Sequence, residues 1–207
     1  MQTRDRFGEL VKVAGVDVGF PERGRWTRAA SAVFAWPELS QLEHRVVLQA
    51  TRFPYVPGLL SFREIPAILT ALGQLTVLPD LLFCDGQGIA HPRRFGLACH
   101  LGVLLDRPTI GVGKTRLTGD YARVPSQRGD WVPLTANGET LGAVLCTRNR
   151  VKPLFISTGH RVSLASAIEL VLAAAPRYRL PEPIRQADRL ASVQARACPC
   201  SPPPTIS

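Results

Sequence analysis

Four acidic residues stand where they could act together. Asp17 lies inside the apolar run KVAGVDVGF (12–20), and Asp85 closes the run PDLLFCDG. Glu64 heads the helical stretch REIPAILTALGQL (63–75), and Asp188 sits in IRQADRLASVQARA (184–197). Hard oxygen ligands of this kind suit Mg²⁺ or Mn²⁺, and a carboxylate cluster holding such an ion activates water and neutralises a phosphate under attack. The stretch FCDGQGIAHPRRFG (83–96) adds a glycine turn, His91, Arg93 and Arg94. His91 could contact a phosphate, orient water or protonate a leaving group. Lys114 follows TIGVG, and its GKT suggests a phosphate-binding P-loop. That pattern requires glycine at 108, where this chain has Pro108, so the reading fails.

Each residue also has a plainer reading. Asp17 within an apolar run could be a buried charge paired with an arginine. Asp85 before Gly86 could be a turn residue, because Asp-Gly favours turns. Ser61 to Glu64 spells the capping box S-x-x-E, although Pro66 would then remove a hydrogen bond early in the helix. Asp188 alone reads as a solvated helix residue, and His91 with its arginines as a basic surface loop. His44, His100 and His160 read as ordinary core or surface histidines.

Composition narrows the class. At 207 residues and 45% hydrophobic content, the chain is long enough for one domain with its own core. We place that domain at residues 1–197, with a disordered Pro-rich tail at 198–207. Lys and Arg number 25 against 16 Asp and Glu, a net charge of +9 that points to an anionic partner, nucleic acid first. No stretch has the ~18 apolar residues of a membrane span, and the charged N-terminus is unlike a signal peptide; a cytoplasmic protein with no membrane partner is expected. The five cysteines are odd in number and mostly lie in apolar runs, as reduced thiols do. The C-x-C of Cys198 and Cys200 lacks neighbouring ligands for a soft metal.

The elements that must position these residues follow from the hydrophobic pattern. Residues 12–20, 28–36 and 44–53 read as strands of an antiparallel meander. A helix over 63–75, a strand ending at Asp85, a helix over 94–106 and a short strand at PTIGVG complete a β-α-β-α-β order, which right-handed crossovers fold into a partly parallel sheet. Asn137-Gly138 predicts a hairpin within 131–148, and 152–159 a strand beside it. Ser163 is a good N-cap for a helix over 163–175, and the last helix is expected over 184–197. In such α/β sheets functional residues gather at strand ends, where Asp17 and Asp85 would meet.

Six separated stretches, VAGVDVGF, YVPGLLSFRE, DGQGIAHPRRFGLACHLGVLLD, PTIGVGKTRL, PLFISTGHRVS and YRLPEPIRQAD, together resemble the endonuclease V family, from about residue 12 to 190. The resemblance implies an α/β, ribonuclease H-like mixed sheet with an antiparallel N-terminal meander and flanking helices. It implies a Mg²⁺-dependent endonuclease, with Mn²⁺ able to substitute, acting in DNA repair as a monomer. Its substrate would be DNA containing deoxyinosine, cut at the second phosphodiester bond 3′ to the lesion to leave 3′-hydroxyl and 5′-phosphate ends. Inosine in RNA is the alternative substrate. Asp17, Glu64, Asp85 and Asp188 match the family's metal-site positions, and His91 and Lys114 match a histidine and a lysine beside the metal. PYVPG matches its wedge, with Tyr55 entering the gap left by the base, beside Pro57. Backbone around Gly58, Leu60, Gly86 and Gly111 would line the base pocket, and Arg93 would face phosphate. The family commonly reads G-V-A-K where this chain has Gly113 before Lys114. An idle binding module would have lost a carboxylate, and another ribonuclease H-like nuclease such as a resolvase would lack PYVPG.

Overall fold

Runs of small and β-branched residues, buried on both sides, make the central strands, as expected where helices cover both faces of a sheet. In the computed structural model, which describes residues 1–192, β1 (Lys12–Gly19), β2 (Trp26–Ala35) and β3 (Gln41–Ala50) form the antiparallel meander. A single helical turn, α1 (Pro21–Gly24), joins β1 to β2. Next come α2 (Leu60–Gly73), β4 (Leu81–Asp85), α3 (Leu97–Leu105) and β5 (Thr109–Gly113), with β1, β4 and β5 parallel. The hairpin β6 (Trp131–Ala136) and β7 (Glu139–Leu145) turns at Asn137 and Gly138, whose φ of 53° and 77° are those of a type I′ turn. β8 (Leu154–His160) lies between β5 and β7 and is antiparallel to both. The single sheet has the order β3-β2-β1-β4-β5-β8-β7-β6.

Helices α4 (Leu164–Ala174) and α5 (Glu182–Ser192) follow. Ser163 caps α4 as expected, its hydroxyl accepting the Ser166 N–H at 3.2 Å. On one face of the sheet α2 and α3 pack over Ala14, Val16, Leu82 and Cys84; on the other, α4 and α5 pack over Val13, Phe83, Ile110 and Ile156. Fully burying a Leu, Ile or Phe side chain contributes about 1.5–3 kcal/mol, so these two layers fix the strand ends firmly.

α5 approaches β1 unusually closely. A Cβ on Gly15 would lie 2.1 Å from the Pro183 carbonyl carbon, and one on Gly19 would lie 2.6 Å from the Ala191 oxygen. Residues 15, 17 and 19 share one face of the strand. The two glycines therefore seat the helix, and Asp17 between them meets what α5 carries.

The capping reading of Ser61 is overturned. α2 begins at Leu60, with Leu59 as N-cap and no side-chain cap, so Ser61 falls inside the helix. Its hydroxyl lies instead 3.1 Å from His100 Nδ1. Cys84, Cys99 and Cys146 are free and buried. The end of the last predicted helix, the Pro-rich tail, Cys198 and Cys200 lie outside the described residues. Among the described residues no helix is long and apolar enough to cross a membrane.

Candidate active site

The parallel strands β1, β4 and β5 deliver Asp17, Asp85 and, just past β5, Lys114 to the same edge of the sheet. α5 brings Asp188 to meet them. Carboxylate oxygens of Asp17, Asp85 and Asp188 all lie within 4.8 Å of one another. Lys114 Nζ stands among them, 2.5 Å from Asp85 Oδ2 and 2.5 Å from Asp188 Oδ1. Asp85 Oδ2 is sealed from solvent and has only this ion pair, without an aligned hydrogen bond. Asp17 Oδ1 accepts the Val18 N–H at 2.7 Å. The plainer readings of Asp17 and Asp188 do not hold, because Asp17 meets a lysine and two carboxylates rather than an arginine and Asp188 is bound to Lys114.

Glu64 reaches the same edge from α2, on the opposite face of the sheet, and stands outside the three-aspartate cluster. It is buried, and its carboxyl is pushed up to about 8, by desolvation first and by Asp85 second, with Arg63 opposing. Desolvation and the Asp85 charge likewise push Asp17 up to about 8 against Lys114. Asp85 is raised, again by burial, with Lys114 offsetting. Burial works against the Lys114 ammonium, but its hydrogen bond to Asp188 and its close contact with the Asp85 carboxylate win and its pKa is raised. Three carboxylates around one ammonium leave an excess of negative charge if all ionise, so the set fits a divalent cation. Its donors are all hard oxygens, which suits Mg²⁺ or Mn²⁺ over softer ions.

His91 is buried, and desolvation followed by the nearby Arg93 charge lowers its pKa. Its Nδ1 accepts the Arg93 N–H at 3.2 Å, which leaves the proton of the neutral ring on Nε2. The ring can therefore donate a hydrogen bond at neutral pH.

A cavity of about 390 Å³ joins these groups to the loop before α2. Tyr55, Gly58, Leu60, Glu64, Asp85, Gly86, His91 and Lys114 line it. Tyr55 is 66% exposed, which excludes its being core. Of the other residues singled out, Asp17 and Asp188 lie behind the cavity in the cluster, and Pro57 and Arg93 are exposed outside its lining. Gly111 is buried beneath it, where a Cβ would lie 2.2 Å from the Gly88 nitrogen.

Sequence reasoning missed Ser61, Gln87, Leu97, Thr115 and Leu117, which also line the cavity. Gln87 Nε2 donates to the Thr115 carbonyl at 3.0 Å, and its Oε1 is buried without a partner. The side chain rests on Gly113, where a Cβ would come 2.1 Å from Nε2. The glycine that departs from the family pattern therefore makes room for this amide. Also missed was an aromatic patch at the rim: Phe62 stacks on Phe53 at 5.8 Å and meets the His100 ring at 4.9 Å. Only the repeated Phe of residues 53–62 could have signalled it.

The model of the endonuclease V family matches residues 1–189. The chain belongs to the endonuclease V family. It is 59% identical over 192 residues to Endonuclease V of Azotobacter vinelandii, covering 93% of this chain and 87% of that one. The crystal structure of Endonuclease V from Streptomyces avermitilis superposes with a TM-score of 0.85 at 44% identity, covering 90% of this chain and 83% of that one. The Ciona intestinalis Endonuclease V (D234N) structure, at 27% identity and TM-score 0.78, covers 88% of this chain and 84% of that one. It holds a 23mer DNA containing an inosine followed by a ribo-adenosine. Family membership makes this chain one of a group of nucleases, and its sheet has the ribonuclease H-like arrangement that the resemblance implied.

Proposed function

We propose that this endonuclease V is a Mg²⁺-dependent enzyme of DNA repair that recognises deoxyinosine and hydrolyses the second phosphodiester bond 3′ to it, leaving 3′-hydroxyl and 5′-phosphate ends. One observation carries the reading: a single cavity is lined both by Glu64, Asp85 and Lys114 and by the exposed Tyr55. Its volume of about 390 Å³ is in the range of pockets that take a small ligand, and a base must leave the stack to enter one.

Asp17, Asp85, Glu64 and Asp188 would hold Mg²⁺, or Mn²⁺ in its place, and when bound the ion supplies Lewis-acid stabilisation of the phosphate's charge. Lys114 places an ammonium where that charge grows as the bond breaks. His91, neutral with its proton on Nε2, donates to the phosphate or to the attacking water. Tyr55, held between Pro54 and Pro57, stacks in the gap left by the base. The backbone of Gly58, Leu60 and Gly86 surrounds the base, Gly111 supports that wall from below, and Arg93 contacts phosphate. The enzyme acts as a monomer in the cytoplasm, with residues 1–197 as its one catalytic domain.

Inosine in RNA is the second reading, and the ribo-adenosine after the inosine in the Ciona relative's ligand supports it. End-labelled duplexes carrying one inosine, in DNA and in RNA, incubated with Mg²⁺ and with EDTA, test both. The expected result is one Mg²⁺-dependent cut, a nucleotide beyond the lesion's 3′ neighbouring bond, on DNA. Faster cutting of RNA would install the second reading, and cleavage that ignores inosine would overturn both.

A further inference from the structure

We propose that the surface running from Lys114 to the C-terminal end of α4 is a second nucleic-acid contact, a track for backbone phosphates beyond the cleavage site. The proposal rests on the nuclease reading above and extends it to a surface that reading leaves unused. A groove of about 560 Å³ begins at Lys114 and Thr115, where the catalytic cavity ends, and runs over Tyr121, Pro153 and Phe155. Arg116, Arg150 and Lys152 stand along it. Arg150 also borders a further hollow of about 470 Å³, together with Arg128, Arg148 and Arg177. Neither is lined by an aspartate or a glutamate.

Two of these cations are already committed. Arg116 is paired with Asp120 at 2.7 Å, and Arg128 donates to the carbonyls of Thr147, Ala175 and Leu172. Arg148, Arg150, Lys152 and Arg177 are exposed and, among the described residues, have no carboxylate partner. Like charges gathered on one surface repel, so a polyanion laid over them is favoured. A groove that is continuous with a phosphodiester-cleaving site selects one polyanion, the strand that leaves that site, since its phosphates recur at regular spacing.

The groove is also held in register with the chemistry. The Arg179 guanidinium donates to the Lys114 carbonyl at 2.8 Å, to Pro153 at 2.9 Å and to Lys152 at 2.7 Å. Its own carbonyl accepts the Thr147 hydroxyl at 2.6 Å. One side chain thus ties the loop of Arg150 and Lys152 to the backbone that carries Lys114. A phosphate held in the groove would be at a fixed reach from the bond to be cut. Such contacts position the nucleic acid without reading its sequence.

The test is fluorescence anisotropy of labelled inosine-containing duplexes with the full chain, in EDTA over a KCl series. The Arg150→Ala/Lys152→Ala variant should show a salt slope shallower by about 0.7–0.9 for each phosphate it no longer neutralises, on a long duplex. On a short duplex ending beside the cut it should match wild type. Arg107→Ala, at the other end of β5, should leave the slope unchanged. An unchanged slope for the double variant, or an equal change on short and long duplexes, would overturn the track. The same series on an inosine-free duplex separates the two readings. If inosine brings no preference but the slope still falls, the lesion reading fails and the track stands. If wild type binds neither duplex, both fall.

Discussion

The carboxylate cluster and the rim loop before α2 border one cavity but are built in opposite ways. The cluster is assembled from β1, β4 and α5, its groups at least half-buried and crowded by like charge. The rim is a local loop with Pro54, Tyr55, Pro57 and Gly58 exposed, closed by a turn from Leu59 N–H to the Val56 carbonyl at 2.9 Å. Gly58 adopts a φ of 77°, which a side chain would strain. Electrostatic work needs charges fixed in a dry setting, even where their repulsion weakens the fold. Stacking needs a stiff ring outside the fold. Changes in the cluster should therefore alter rate and stability together, and changes at the rim should alter binding alone.

The sharpest test of that division is Asp85→Asn. A neutral amide is a poor ligand for a hard cation, so cleavage at low Mg²⁺ should fall by about 10³-fold or more while inosine-DNA binding survives. Removing a charge from a crowded cluster should also raise the melting temperature of the metal-free protein, and near-normal turnover would break the comparison. Lys114→Ala comes next, with cleavage slowed by about 10²–10³-fold, the cost typical of removing one charge-stabilising donor. Binding should weaken much less; equal drops in single-turnover rate and affinity would make Lys114 a docking residue only.

At the rim, Tyr55→Ala should weaken binding to inosine-containing duplex by roughly 10- to 100-fold, from the ~1–3 kcal/mol that aromatic stacking returns. Thermal stability should hardly move, and Tyr55→Phe should bind nearly as wild type because stacking needs the ring. Unfolding of Tyr55→Ala would make the rim a part of the core after all.

The smallest expected effect is in the pH dependence of the metal-free fold. Asp17 and Glu64 rise from ordinary values of 3.8 and 4.5 to about 8 on folding. Their contribution to stability is therefore fully present below pH ~4 and is lost as pH rises through about 8. In EDTA the melting temperature should drop by a few degrees between pH 5 and 8, a slope that Asp17→Asn and Glu64→Gln flatten and Mg²⁺ reverses. Tyr55→Ala should keep the full wild-type slope.

The strands were legible because continuous apolar runs such as LLFC and AVFA can only be buried, and the Asn137-Gly138 turn announced its hairpin. Asp17 and Asp85 were legible as anomalies, one a charge inside such a run and the other a charge closing one. The start of α2 was not, because Ser61 carries a capping pattern while the helix begins at Leu60, with Leu59 as an N-cap that offers no side-chain hydrogen bond. That β8 lies beside the hairpin was legible, but its pairing with β5 on the other side was not, since pairing across forty residues leaves no local mark. Gln87 and Thr115 escaped notice for the same reason: each is unremarkable until the sheet lays one over the other.

The seat that Gly15 and Gly19 offer to α5 also sets an order of events. A chain is made from its N-terminus, and a domain generally folds as a unit once its parts have emerged. The residues of the meander, β4 and β5, Asp17 and Asp85 among them, are made while α5 is still to come. Asp188, the partner that Lys114 holds at 2.5 Å, arrives only with the helix that closes over those glycines. A nascent or clipped chain that stops before α5 thus lacks Asp188 beside Lys114, and the three-aspartate cluster is completed only when α5 is made.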